Sequence, residues 1–156
     1  MLEDLALRGI RAETVLFSEP EVRAAADRAL RAHEYRGREL EEETNRFMAA
    51  ARDAIGVLVE HGPEVFGFLH LTFQEFLAAR AITRLAAPAA NEVVASWWDR
   101  PDWREAWTLY ALGCEAQEGR PQALFATILE PASRQALDRH LRRPERAALR
   151  LAAVGN

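Results

Sequence analysis

Residues 68–79 read Phe68-Leu69-His70-Leu71-Thr72-Phe73-Gln74-Glu75-Phe76-Leu77-Ala78-Ala79, and the rest of the chain is parsed around this stretch. Thr72 and Glu75 form a Thr-x-x-Glu capping box, with threonine at the N-cap and glutamate at the third helical position. Leu71 before the cap and Phe76 after the first turn are spaced to close a hydrophobic staple. A helix is therefore predicted from Phe73 to about Leu85. Its side chains are apolar around most of the circumference, so it must be covered on more than one side. His70 stands just ahead of it, at the end of the apolar strand Val65-Phe66-Gly67-Phe68-Leu69. A helix N-terminus carries free N–H groups and partial positive charge, which suits a phosphate, and an imidazole there can donate one more hydrogen bond. A half-buried histidine beside an ordinary helix start uses the same residues, and spacing alone leaves both readings open.

Toward the N-terminus, Val65–Leu69 and Val57-Leu58-Val59-Glu60 flank His61-Gly62-Pro63-Glu64, a hairpin signal with His61 solvated on its turn. Before the hairpin, Phe47, Ala51, Ala54, Ile55 and Leu58 recur at helical spacing in a helix that starts near Glu41, and Gly56 ends or kinks it. Ser18 opens an earlier helix, with Glu21 completing a capping box, Pro20 in the first turn and Val22, Ala26, Ala29 and Leu30 as its buried stripe. Thr14-Val15-Leu16-Phe17 is a short strand, and Leu2 to Arg8 a helix closed by Gly9. Helix, strand, helix, helix, strand, wing, strand is the order of a winged helix. It is assigned to residues 1–85, with a small sheet from 14–17, 57–60 and 65–70.

A break falls at Ala86-Ala87-Pro88-Ala89-Ala90, and beyond it every regular signal is helical. One helix runs from Asn91 to Trp98. Asp102 caps the next, where Trp103, Ala106, Trp107 and Tyr110 line one face. Pro121, Pro131 and Pro144 read as first-turn prolines of further helices, with Leu124, Ile128, Leu137, Leu141, Ala148 and Leu151 as core. Residues 86–156 thus read as a HEAT-like helical array. The helical spacing of the tryptophans favours core packing over a ligand cage. The fold class is mainly α: a winged helix with a small β-hairpin sheet, followed by an α-helical array. Phe47, Ile55, Phe68, Phe73, Leu77, Trp103 and Trp107 are expected to be buried, and Arg142 and Arg143 exposed.

At 156 residues and 49% hydrophobic, the chain can bury a sizeable core. All twenty basic residues are arginine, which points to a GC-rich bacterial genome and leaves no lysine for a phosphate-binding loop. No aliphatic run ends in the paired acids that hold magnesium. This chain by itself is therefore not expected to be an enzyme. A single cysteine, Cys114, excludes an internal disulfide and a cysteine-based zinc site, and suits a small core position on a helix. His33, His61, His70 and His140 show no metal-ligand spacing. No apolar run approaches the roughly 20 residues of a membrane span, and the acidic start is no signal peptide, so the expected location is cytoplasmic. Arginines gathered at Arg134, Arg139, Arg142, Arg143, Arg146 and Arg150 read as a solvated helix face. The helix opening Glu41-Glu42-Glu43 and carrying only Arg46 and Arg52 lacks the basic footprint that nucleic acid requires.

The run Phe68–Ala79 resembles the signature just after the wing of the winged-helix domain in NACHT-type STAND signalling NTPases. Gly56-Val57-Leu58-Val59-Glu60 resembles the strand before that wing, and Trp103-Arg104-Glu105-Ala106-Trp107 is similar to the Trp-Arg-Glu helix that follows in many bacterial members. The resemblance implies a C-terminal fragment, downstream of a nucleotide-binding core and containing none of it. It implies a regulatory module that closes over ADP at rest, with His70 contacting the phosphates. ADP or ATP would bind only in the full-length parent, whose NACHT core is the implied partner. Activation would release the module and let the chains oligomerise, with the helical region sensing a protein trigger in bacterial or antiviral defence. Two alternatives remain: a helical interaction scaffold without a nucleotide role, and a DNA-binding winged helix.

Overall fold

The computed structural model describes residues 1–52 and 56–115, together with residues 146, 148, 150, 152 and 153. It divides into two compact units, Met1–Ala78 and Ala79–Asn156. The elements are α1 (Leu2–Arg11), β1 (Leu16–Ser18), α2 (Glu19–Ala32), α3 (Gly37–Arg52), β2 (Leu58–Gly62), β3 (Val65–Phe68), α4 (Leu71–Arg84), α5 (Ala87–Trp97), a 3-10 turn (Pro101–Trp103) and α6 (Arg104–Glu115). The order through β3 is that of a winged helix. Its sheet is antiparallel, with strand order β1-β3-β2. Among the described residues no strand follows residue 90. The boundary between the units falls inside α4.

In the first unit β3 is the central strand, pairing Phe66 with Phe17 of β1 and Phe68 with Leu58 of β2. Phe17, Phe66, Phe68 and Leu58 are all buried, so alternation puts one apolar face of the sheet inward. Phe17 and Phe68 meet edge to face at 5.9 Å. Beneath this face lie Leu5 of α1, Val22 and Ala26 of α2, and Met48 of α3, each no more than 2% exposed. The buried stripe of α3 is Leu40, Thr44, Met48 and Ala51, with Phe47 only half-buried. The helix starts at Gly37 instead of Glu41, and its inward face is rotated by one residue from the one read through Phe47. Thr44 is tolerated inside because its hydroxyl donates to Asp27 Oδ1 of α2 at 2.6 Å. Ala54 and Ile55 lie outside the described residues.

α1 does not stop at Gly9. It continues to Arg11, and Gly9 is buried within it. A Cβ there would lie 2.4 Å from Gln74 Nε2 and 2.6 Å from the Phe17 ring, so this glycine makes room for close packing. The helix ends two residues beyond. Glu13 N–H donates to the Ile10 carbonyl and Thr14 N–H to the Gly9 carbonyl, the paired bonds of a Schellman turn. α2 closes in the same way, Glu34 N–H to Arg31 O and Tyr35 N–H to Leu30 O. Both turns put a glutamate at the left-handed position, with φ of 53° at Glu13 and 70° at Glu34. A left-handed L-residue costs about 1–2 kcal/mol. Glu13→Gly and Glu34→Gly are therefore each expected to stabilise by up to about 1 kcal/mol, read as a rise in urea midpoint.

Ser18 and Glu21 form the expected capping box at the start of α2: the Glu21 carboxylate accepts from the Ser18 N–H and hydroxyl, both at 2.7 Å. Glu19 beside it accepts from Arg23 at 2.7 Å and also from Arg52, the last residue of α3. Arg52 reaches Glu60 of β2 at 3.7 Å, so one network ties α2, α3 and the hairpin. The Arg23 and Arg52 hydrogen bonds hold the Glu19 carboxyl below its usual value, and the Ser18 bonds do the same for Glu21. A carboxyl lowered in the folded state contributes stability above its unfolded pKa and loses it as pH falls through the folded one. Stability should therefore decline below about pH 4. Glu19→Gln and Glu21→Gln should flatten that acid limb in thermal melts taken across pH.

The second unit contains α5, the 3-10 turn and α6. α5 begins at Ala87 with Pro88 in its first turn, so the expected break shrinks to Leu85 and Ala86. Asp102 lies within the 3-10 turn and is not a cap. Trp103, Ala106, Trp107 and Tyr110 are buried, at most 4% exposed. Trp103 stacks between Trp97 at 5.2 Å and Trp107 at 5.1 Å, and Trp107 Nε1 donates to the Trp97 carbonyl at 3.1 Å. Trp97, Trp103 and Trp107 thus pack on one another, while Trp98 is half-buried. Cys114 lies on α6. Arg146 and Arg150 are helical and exposed. The helices expected from Pro121 and Pro131, together with Pro144 itself and Arg134, Arg139, His140, Arg142 and Arg143, lie outside the described residues.

Candidate functional site

α4 begins at Leu71, two residues earlier than its sequence predicts. Thr72 is already helical, and His70 takes the place just ahead of the first helical residue. Phe73 N–H closes the first turn onto the His70 carbonyl at 3.0 Å. Leu69 N–H donates to the Val57 carbonyl at 2.8 Å, which fixes the chain leaving β3. His70 therefore sits where the central strand of the sheet turns into the helix.

Gln74 anchors that helix start. It is 1% exposed, and its amide donates to the Thr14 carbonyl at 2.8 Å, next to Gly9. Thr14 itself is fully engaged, since its hydroxyl donates to Leu16 O at 2.9 Å and accepts from Leu16 N–H at 3.2 Å. A glutamine inside the apolar run Phe73–Ala79 was the only sequence signal for this anchor, and the run alone does not reveal its partner. Ala78, four residues on, is fully buried as well.

The opposite side of the helix start is open. Leu69 is 47% exposed, Leu71 55%, Phe73 37% and Phe76 43%. The expectation that Phe73 is core is thus overturned, and Leu77 is only half-buried. The inward positions on this turn go to Gln74 and Ala78, which leaves Phe73 and Phe76 outward. The loss of about 3–5 kcal/mol that truncating a buried phenylalanine causes does not apply to Phe73. His70 is exposed among these apolar groups, and its ring stacks on Phe73 with centroids 5.8 Å apart and planes at 30°. Neither imidazole nitrogen is hydrogen-bonded among the described residues.

Electrostatics distinguish this helix end from the other helices of the first unit. α1 has Glu3 and Asp4 in its first turn and α2 has Glu19 and Glu21, so their N-terminal dipoles are already offset. α4 has no acid in its first turn. A helix N-terminus with no acid in its first turn, beside an imidazole with no hydrogen bond among the described residues, can receive an anion. His61, by contrast, lies on β2 at a bulge and is exposed, its ring against Gly67, where a Cβ would meet His61 Cδ2 at 2.8 Å. On α3 each arginine has a carboxylate partner: Arg38 with Glu42 at 2.7 Å, Arg46 with Glu43 at 2.6 Å, and Arg52 with Glu19 and Glu60. Paired arginines leave this helix little charge for a nucleic-acid backbone. Among the described residues no three His, Cys, Asp or Glu side chains gather as a metal site, and no helix is long and apolar enough to cross a membrane.

A family model described as the winged helix-turn-helix domain C-terminal to NACHT matches residues 3–82, just over half of the chain. Neither a curated protein nor a solved structure matches.

Proposed function

This chain belongs to the family of winged helix-turn-helix domains C-terminal to NACHT, and from that premise we propose that it is the regulatory module of a nucleotide switch. At rest the start of α4 faces the nucleotide pocket of the NACHT core, and His70 donates a hydrogen bond to the β-phosphate of ADP. Exposed Leu69, Leu71 and Phe73 pack against that core around the histidine. When ATP replaces ADP the module moves away, and the chains oligomerise in response to a trigger sensed by the helical region. The setting is cytoplasmic bacterial signalling or defence, in which the parent protein is the ATPase and this chain alone turns over nothing. The supporting observation is the arrangement at the helix start: an exposed imidazole, not hydrogen-bonded among the described residues, beside a helix N-terminus with no acid in its first turn, framed by apolar side chains.

The test uses the chain joined to its NACHT domain. His70→Ala removes one hydrogen bond to a charged group, worth about 1.5–3 kcal/mol. ADP is expected to dissociate about tenfold faster or more, since each 1.4 kcal/mol is about a factor of ten. ATP affinity should change less, and basal oligomerisation should rise. The thermal midpoint should hold, because His70 is exposed and Gln74 still anchors the helix. ADP release at the wild-type rate would remove His70 from the nucleotide site.

A further inference from the structure

Phe73 is a large aromatic ring that the core does not use. It lies in the first turn of α4, 37% exposed, and touches His70 in two ways. Its N–H holds the His70 carbonyl at 3.0 Å, and its ring stacks on the imidazole at 5.8 Å. The residue after it, Gln74, is pinned to the Thr14 carbonyl at 2.8 Å, so the backbone beneath the ring is anchored to the winged helix. An exposed histidine otherwise samples several rotamers. An aromatic face at this separation favours a parallel-displaced partner and narrows that choice.

We propose that Phe73 is a positioning residue: it holds the His70 imidazole in one orientation at the mouth of the α4 N-terminus. This rests on the reading of His70 as the nucleotide contact. Its consequence is that the ring matters through His70, beyond any apolar contact it makes with a partner. Leucine and tyrosine separate these roles, because Phe73→Leu keeps apolar bulk and loses the aromatic face, whereas Phe73→Tyr keeps the face.

Two measurements test it. In NMR spectra of this chain, ring current from Phe73 should displace the His70 imidazole C–H resonances upfield. Phe73→Leu should abolish that displacement and Phe73→Tyr should retain it. In the chain joined to its NACHT domain, Phe73→Leu should speed ADP release several-fold, with a near-native thermal midpoint and with Phe73→Tyr restoring the slow rate. On a His70→Ala background Phe73→Leu should add nothing. Faster release with His70→Ala but not with Phe73→Leu would overturn the inference and leave the nucleotide contact standing. The same acceleration in both backgrounds would show Phe73 acting independently of the histidine. A large fall in thermal midpoint with Phe73→Leu would make the ring a packing element. No effect of His70→Ala would remove the nucleotide reading itself, and this inference with it.

Discussion

Phe66→Ala is expected to destabilise the first unit by about 3–5 kcal/mol, the range for truncating a fully buried phenylalanine. Phe66 is 0% exposed at the middle of β3, the central strand of the sheet, with β1 on one side and β2 on the other. It is paired with Phe17, and the Arg52 guanidinium sits 5.8 Å from its ring centre. Removing the ring opens a cavity between the sheet and the helices below it, and tight packing prevents full collapse. The effect should reach the candidate site, since β3 runs directly into Leu69 and His70. Urea unfolding followed by far-UV circular dichroism should show a lower midpoint with little change in slope. Phe66→Leu should lose much less. A loss below about 1 kcal/mol for the alanine variant would mean that the ring is not the keystone its burial indicates.

The second large effect is expected at Trp103, also 0% exposed and stacked on two tryptophans. Trp103→Ala should cost the second unit about 3–5 kcal/mol. The remaining three tryptophans all lie within residues 97–107, so their fluorescence reports on this unit alone. The Trp103 indole N–H is buried without a partner among the described residues. An unmade buried hydrogen bond is a liability of about 1–3 kcal/mol. Trp103→Phe removes that donor and keeps an aromatic ring in the stack, so it should cost far less than alanine. If phenylalanine proves as costly as alanine, the indole N–H has a partner that matters more than the stack.

What could be read from sequence was local. Ser18 and Glu21 lie three residues apart, and their reciprocal bonds form wherever that helix starts. The hairpin at 58–68 follows from β-prone runs around a turn, and the stripe Trp103, Ala106, Trp107, Tyr110 from the 3.6-residue period. Element order follows from such signals, and with it the winged helix. The position of His70 before a helix was legible for the same reason.

Contacts distant in sequence decided the rest. Gly9 reads as a helix stop because glycine commonly ends helices, yet it is the gap into which Gln74 and Phe17 fit, and Gln74 is sixty-five residues away. The true ends of α1 and α2 carry glutamates in the left-handed region, held by Schellman bonds that no glycine announces. In α3 adjacent Phe47 and Met48 compete for the inward position, and hydropathy alone favours the phenylalanine. The Thr44–Asp27 bond and the sheet above set the rotation that buries Met48. In α4 the buried glutamine took the inward place because the Thr14 carbonyl was there to receive its amide. That bond turned Phe73 outward, beside His70, and so made an apolar run into a candidate site. Periodicity shows that a helix has a face to bury; only the partner surface selects which side chains fill it.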